Sequence, residues 1–184
     1  MSVRSAGLLL CAALGLSGCG YSSLQQQDED VKASWSEIVN LYQRRADLIS
    51  GLAATVKGFA ASEKELIGAT EANARTGSLP SAATTVLGDP AAFDSYQALQ
   101  RQLTQSLQSL RGLSAGYPQL QADANFQDLQ TQLAETESSL TAARDRYMVA
   151  VRNFNTMVQT FPTDVTARVF DFRARPSLPA AAEK

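Results

Sequence analysis

Rows of apolar residues spaced three or four positions apart constrain this chain more than any other feature of its sequence. Such spacing places the side chains on one face of an α-helix of coiled-coil type, and no sustained β-branched alternation favours strands. A first long helix is predicted over 25–75, with Ser50-Gly51 as its weak point. Its buried face comprises Val31, Trp35, Ile38, Tyr42, Ile49, Leu52, Val56, Phe59 and Leu66, with Arg45 and Glu63 on the same stripe.

Turn and capping residues mark three further helices. Asp89-Pro90 is a good helix start, and Gly116-Tyr117-Pro118 is a good stop. Phe161-Pro162 ends the next helix, because the residue before proline avoids the helical region. The predicted helices after the first are 90–115, 125–161 and 163–170; 76–88 is a predicted loop and 173–184 a predicted flexible tail.

Each long helix carries its own apolar stripe. The second has Phe93, Tyr96, Leu99, Leu103, Leu107, Leu110 and Leu113, and the third has Phe126, Leu129, Leu133, Leu140, Tyr147, Val151, Phe154, Val158 and Phe161. Long amphipathic helices with short connections imply antiparallel packing. The sequence therefore predicts an all-α domain over 25–172, an antiparallel bundle of three long helices plus a short C-terminal helix, without β-sheet.

Composition excludes several function classes. The chain of 184 residues has no histidine and a net charge of −2, from 18 acidic and 16 basic residues. Absence of histidine rules out histidine-dependent nucleophile systems and imidazole acid–base catalysis. The acidic balance does not suit nucleic acid, and no glycine-rich phosphate loop is present. Glu63 and Glu137 could serve as acid and base only with supporting groups that the spacing does not supply, so we expect no enzyme, no metal and no cofactor.

The N-terminus has the layout of a lipoprotein signal. Arg4 precedes an uncharged, largely apolar run from Ser5 to Gly18, shorter than the roughly 20 residues that a membrane-spanning helix needs. The run ends in Leu16-Ser17-Gly18-Cys19, which resembles a bacterial lipobox. We expect residues 1–18 to be a signal peptide and 19–24 a lipidated tether. An ordinary signal peptide, or an uncleaved anchor with an incidental cysteine, is the alternative.

Lipidation would make Cys19 the membrane attachment, because two or more acyl chains, palmitate among them, anchor stably where one does not. Gly20, rather than aspartate, follows Cys19. By resemblance to proteobacterial sorting signals, this predicts the periplasmic face of the outer membrane if the host is Gram-negative. Cys11 would leave with the signal peptide, so no cysteine would remain for a disulfide or a metal.

Motifs from Tyr21 to Phe172 resemble, in order, those of the LemA family of bacterial envelope proteins. The positions that carry the resemblance include Trp35, Arg44, Arg45, Asp47, Lys57, Tyr117, Pro118, Asn125, Phe126, Glu137, Arg144, Tyr147, Asn155 and Pro162. The chain departs from the family in having Ser50-Gly51 where Pro-Asn is usual, and a lipobox where many members have a spanning helix. The resemblance implies a bundle of long antiparallel helices and assigns no catalytic residue.

One ion pair is predicted inside the bundle. If the first and third helices run parallel in an up-down-up order, Arg45 and Glu137 lie at similar heights, because each is a few turns into its helix. A buried pair of this kind fixes helix register more reliably than it stabilises. The alternative is a set of solvated charges.

Two functions follow. The first is a non-enzymatic, lipid-anchored helical scaffold or interaction module whose partners are the membrane, through Cys19, and another envelope protein. The second is a self-assembling protein that shapes or organises membrane. Self-association stays open, because long apolar stripes can also be satisfied between chains.

Overall fold

A computed structural model describes residues 3–58 and 82–179, with side chains described from Gly20 onward. This part of the chain is all-helical, without strands, as predicted. Its helices are α1 (Val3–Lys57), α2 (Ala83–Gly88), α3 (Pro90–Ser114), α4 (Pro118–Gln121), α5 (Ala124–Gln159) and α6 (Thr163–Val169).

The first helix differs from its predicted bounds of 25–75. It begins at Val3, since the run from Ser5 to Gly18 contains no proline to stop it, and it passes through Ser50-Gly51 unbroken. It ends at Lys57, where the Gly58 N–H donates to the Thr55 carbonyl at 3.1 Å and tightens the last turn. The predicted continuation to residue 75, with Phe59, Glu63 and Leu66, lies outside the described residues, as do residues 76–81 of the predicted loop. Residues 83–88, also predicted to be loop, form α2 instead.

Residues 19–24, predicted to be a tether, belong to α1. Leu24 is fully buried, and the ring of Tyr21 packs against that of Phe170 at a tilt of 53°, with centroids 4.6 Å apart. A Cβ placed on Gly20 would lie 3.2 Å from Oγ1 of Thr166 on α6. The segment that follows Cys19 is therefore packed against the fold.

The later long helices have the predicted bounds to within two residues. Asp89 caps α3 by accepting from the Ala91 N–H at 2.9 Å, and Asp123 accepts from the Phe126 N–H at 2.8 Å at the start of α5. The short helices α2 and α4 were not predicted. They bury Val86, Leu87 and Leu120, so tertiary packing rather than helix length accounts for them.

The chain divides into two compact units, which we call the terminal unit (Met1–Ser34 with Arg146–Lys184) and the central unit (Trp35–Asp145). The core of the central unit is formed by α1, α3, α4 and α5. Its buried members are Ala46, Leu48, Ile49, Leu52, Ala53, Val56, Leu99, Leu103, Leu107, Leu110, Leu120, Phe126 and Leu133.

The predicted up-down-up order is wrong within the central unit. Trp35 contacts Phe93, and Arg45 contacts Gln100, so residue numbers rise together along α1 and α3 and the two helices run in the same direction. Thr55 accepts from Asn125 whereas Arg45 contacts Glu137, so α5 runs opposite to α1. The prediction assumed a short connection, but residues 58–89 separate α1 from α3.

The predicted flexible tail, 173–184, is ordered over its described part. Residues 173–179, which we call the strap, are held in the terminal unit. Asn155 donates to the Arg175 carbonyl at 2.9 Å and accepts from the Arg175 N–H at 2.8 Å, as a paired strand would. The Tyr147 hydroxyl donates to the Pro176 carbonyl at 2.6 Å, and Leu178 is buried. Polar helix residues thus supply the hydrogen bonds that the strap backbone needs.

One residue predicted to be buried is not. Phe161 is 80% exposed, because α5 ends at Gln159 and leaves it in the turn before α6, off the helical stripe.

We expect Gly51→Ala to stabilise the chain by about 0.5–1 kcal/mol, because alanine lowers the entropic cost of the helix. The added Cβ would meet only the methyl groups of Leu129, at 3.5 and 3.6 Å, an ordinary van der Waals contact. Urea unfolding followed by circular dichroism measures the change. Gly112→Ala, in open space on α3, is the matched control. Destabilisation by Gly51→Ala alone would show that Leu129 requires a glycine opposite it.

Candidate functional site

The central unit buries one arginine among three helices. The Arg45 side chain on α1 is 6% exposed, and its Nε donates to Oε1 of Glu137 on α5 at 2.6 Å. On α3, Nη1 donates to Oε1 of Gln100 at 2.9 Å and to its carbonyl at 3.3 Å, while Nη2 donates to Oγ1 of Thr104 at 2.8 Å. The guanidinium fork thus finds acceptors in two directions, which a lysine could not match.

The predicted pair of Arg45 and Glu137 is therefore brought together, although α5 runs antiparallel to α1 rather than parallel. The height argument gave the right pair from a wrong helix order. The prediction missed Gln100 and Thr104. A signal was available for Gln100, which lies four residues after Tyr96 and three before Leu103, so a polar residue interrupts an apolar stripe.

The hydrogen bonds of Arg45 join helices of the fold to one another. Glu137 is 37% exposed and keeps part of its hydration, whereas Gln100 is buried, and its Nε2 atom has no hydrogen-bond partner among the described residues. An arginine whose donors are directed at side chains and a backbone carbonyl of its own fold is held to one register. We interpret this cluster as a register device for α1, α3 and α5.

A tyrosine beside this cluster has a perturbed proton equilibrium. Burial raises the pKa of the Tyr42 phenol above its ordinary value of 10.0; the positive charges of Arg144 and Arg45 act against this rise, and the negative charge of Glu137 adds to it. Burial also raises the pKa of Tyr96, whose ring lies 6.4 Å from that of Tyr42. Both phenols therefore favour the neutral form in the folded state.

The remaining positions of the family resemblance have mostly structural places in their own units. Trp35 is buried between Phe93 and Tyr96, and Asn125 donates to Oγ1 of Thr55 at 3.1 Å. Tyr117 is partly buried against the core, Pro118 begins α4 and Phe126 is buried. Tyr147 and Asn155 form hydrogen bonds to the strap. Pro162 follows Phe161 through a cis peptide bond and directly precedes α6. Arg44, Asp47 and Lys57 are exposed on α1, and Arg144 is partly buried on α5.

The terminal unit contains the second region of interest, around the predicted lipidation site. Cys19 lies in α1 directly before Gly20, where an added Cβ would meet Thr163 and Thr166 of α6 at 3.9 and 3.2 Å. The side chain of Cys19 is outside the described part of the chain. Tyr21 lies against Phe170 and Phe172, so the residues that follow Cys19 meet α6 and the segment after it.

The structure offers neither a metal site nor a membrane-spanning helix in residues 20–58 and 82–179. Over these ranges, no group of three or more His, Cys, Asp or Glu side chains is arranged to hold a metal ion. Over the same ranges, no helix combines the length and the hydropathy needed to cross a membrane.

We expect Glu137→Ala to destabilise the chain by about 1–2 kcal/mol. It removes a charged hydrogen bond to a buried arginine, but solvent already screens part of Glu137. Glu135→Ala, two residues away and exposed, is the matched control and should change stability by less than about 0.5 kcal/mol. Urea midpoints of both variants give the comparison. Equal effects of the two substitutions would contradict a role for the pair.

We expect stability to fall as the pH rises above about 10, because the Tyr42 pKa is raised in the folded state. Between the unfolded and folded pKa values the unfolded state binds fewer protons, so the free energy of unfolding decreases with pH. Tyr42→Phe should make this decrease shallower. Urea midpoints from pH 8 to 11 test it, with the exposed Tyr21→Phe as control. Parallel pH curves for Tyr42→Phe and the unaltered chain would exclude the contribution.

Comparison with known proteins gives the chain a family. A family model described as the LemA family matches residues 34–184, which include the central unit, the strap and every motif position from Trp35 onward. A comparison with curated protein sequences finds no match. Because the matched region covers most of the chain and agrees with the residue motifs, the protein belongs to the LemA family.

Proposed function

We propose that this protein is a non-enzymatic, lipid-anchored component of the bacterial cell envelope that acts as a helical scaffold or interaction module for another envelope protein. One observation carries the proposal: the cysteine that ends the lipobox pattern directly precedes Gly20, where an added Cβ would already meet Thr166 of α6 at 3.2 Å. A lipid on Cys19 would then hold a folded unit at the bilayer without a flexible linker.

The use of charged groups in the fold supports a non-enzymatic role. Arg45 binds Glu137 and two residues of α3, and Asp28 binds Arg175 of the strap at 2.6 Å and Lys32 at 2.9 Å. These buried or half-buried charges have structural partners. Structural ion pairs of this kind do not require a substrate to explain them.

A glutamine-rich polar surface supports the interaction role. Gln105 and Gln108 are exposed on α3, and Gln97 and Gln102 are half-buried on the same helix. Amide side chains of this kind can donate and accept hydrogen bonds to a partner without the desolvation cost of a charge. We propose this face of the central unit as the side presented to an envelope protein.

Gly20 after Cys19 favours the periplasmic face of the outer membrane in a Gram-negative host. The alternative function is a self-assembling protein that organises membrane. Cross-linking in intact membranes followed by mass spectrometry separates the two, because a scaffold yields a discrete second protein and an assembly yields adducts of this chain with itself.

We expect Cys19→Ala to move the protein out of the membrane fraction, because the proposed acyl chains are its anchor. Cys11→Ala, within the same signal segment, is the matched control and should leave the protein in the membrane. Fractionation with carbonate extraction, together with mass spectrometry of the N-terminal peptide, reads the result. Equal membrane retention of both variants, without acyl mass on Cys19, would refute the lipid anchor.

A further inference from the structure

The short helix α6 has its small residue inside and its large apolar residues outside. Ala167 is buried, whereas Val165 is 54% and Val169 73% exposed. Val165 and Val169 are four residues apart, so they lie on one side of the helix, roughly opposite Ala167. A helix that packs only against its own protein shows the reverse pattern.

Neighbouring residues extend this surface. Phe170 is 54% exposed and lies against Tyr21, which is itself 37% exposed. Phe161, exposed in the turn before α6, adds a further aromatic ring. We call Tyr21, Phe161, Val165, Val169 and Phe170 the apolar face. It accounts for five of the six large apolar residues that are exposed in the described part of the chain, the other being Val149 on α5.

We propose that the apolar face rests in the interfacial layer of the lipid bilayer, beside the lipid carried by Cys19. The proposal rests on the lipid anchor proposed above. A Cβ placed on Gly20 would meet Oγ1 of Thr166 at 3.2 Å and a methyl group of Thr163 at 3.9 Å, so the backbone next to Cys19 lies beside α6. The anchor would then bring the apolar face to the membrane, and burial of that face would fix how the terminal unit sits on it.

The charged residues around the apolar face do not favour anionic lipid over zwitterionic lipid. Arg168 is paired with Asp164 at 3.1 Å, and Arg173 with Asp171 at 3.0 Å, so each exposed cation has an acidic partner beside it. The region therefore lacks the unpaired cluster of lysine and arginine that recognises anionic lipid. We expect binding of the apolar face to the bilayer to depend on burial of its apolar side chains, to a depth of roughly 5–10 Å, and little on the charge of the lipid headgroups.

A thiol-reactive fluorophore at Val169→Cys tests the placement. The processed lipoprotein has lost Cys11 with the signal peptide and carries lipid on the Cys19 thiol, so no other free thiol remains, and it is reconstituted into phosphatidylcholine vesicles with and without phosphatidylglycerol. We expect a blue-shifted emission and strong quenching by spin-labelled lipids in both compositions. Ser138→Cys, exposed on α5 in the central unit, is the control label and should stay in water.

A second variant separates seating from simple proximity. Phe161→Ser with Phe170→Ser reduces the apolar face without touching Cys19, and it should weaken the quenching at position 169 while acylation stays intact. Circular dichroism of the labelled chains verifies that α6 is retained in a folded protein.

The outcomes distinguish the two proposals. Acylated Cys19 with an unquenched label at position 169 overturns the seating and leaves the anchor. A blue shift without quenching by lipid places a protein on this face, either a second copy or a partner, and also overturns the seating. Equal quenching at positions 169 and 138 indicates general adsorption and overturns it as well. Absence of acyl mass on Cys19 refutes the anchor, and the seating proposal falls with it.

Discussion

The central unit buries one cation among its described residues, Arg45, and the register of three helices depends on it. Arginine stays charged at any physiological pH, so burying Arg45 requires acceptors to be placed around it. Glu137 provides one from α5, and Gln100 and Thr104 provide others from α3. Sliding either helix by one turn would carry its acceptors about 5 Å away. The guanidinium therefore favours the register of α1, α3 and α5 that the structure shows.

The terminal unit uses a different device. The strap packs against its helices. Asn155 and Tyr147 of α5 form hydrogen bonds to the strap backbone. Arg175 completes the attachment, because its side chain binds the buried carboxylate of Asp28 and lies over the ring of Phe154. The strap contains two prolines, which disfavour helix and regular sheet. Side chains of α5 hold it by the hydrogen bonds that a neighbouring strand would otherwise make.

The proposed lipid anchor connects the packing of the terminal unit to function. The family match begins at residue 34, so Cys19 lies outside it, and the proposed anchoring is argued from this chain's own N-terminal residues. A lipid attached directly to a packed helix would transmit the orientation of the bilayer to the terminal unit, which a loose tether would not. The proposed scaffold differs in this respect from a module that moves freely at the end of a linker.

The sequence by itself determined the helical class, the bounds of α3, α5 and α6 and most of the buried stripes, because these depend on local spacing, caps and proline. It also named the pair of Arg45 and Glu137, because each lies a few turns into its helix, although the helix order assumed for it was wrong. Tertiary structure alone decided that α1 and α3 run in the same direction, that residues 19–24 continue α1 and that the strap is ordered. Each of these depends on contacts between residues far apart in the chain, such as Asn155 with Arg175, and no local pattern encodes them. Phe161 shows that local spacing can also mislead. Its spacing fits the apolar stripe of α5, but α5 ends at Gln159, before Phe161.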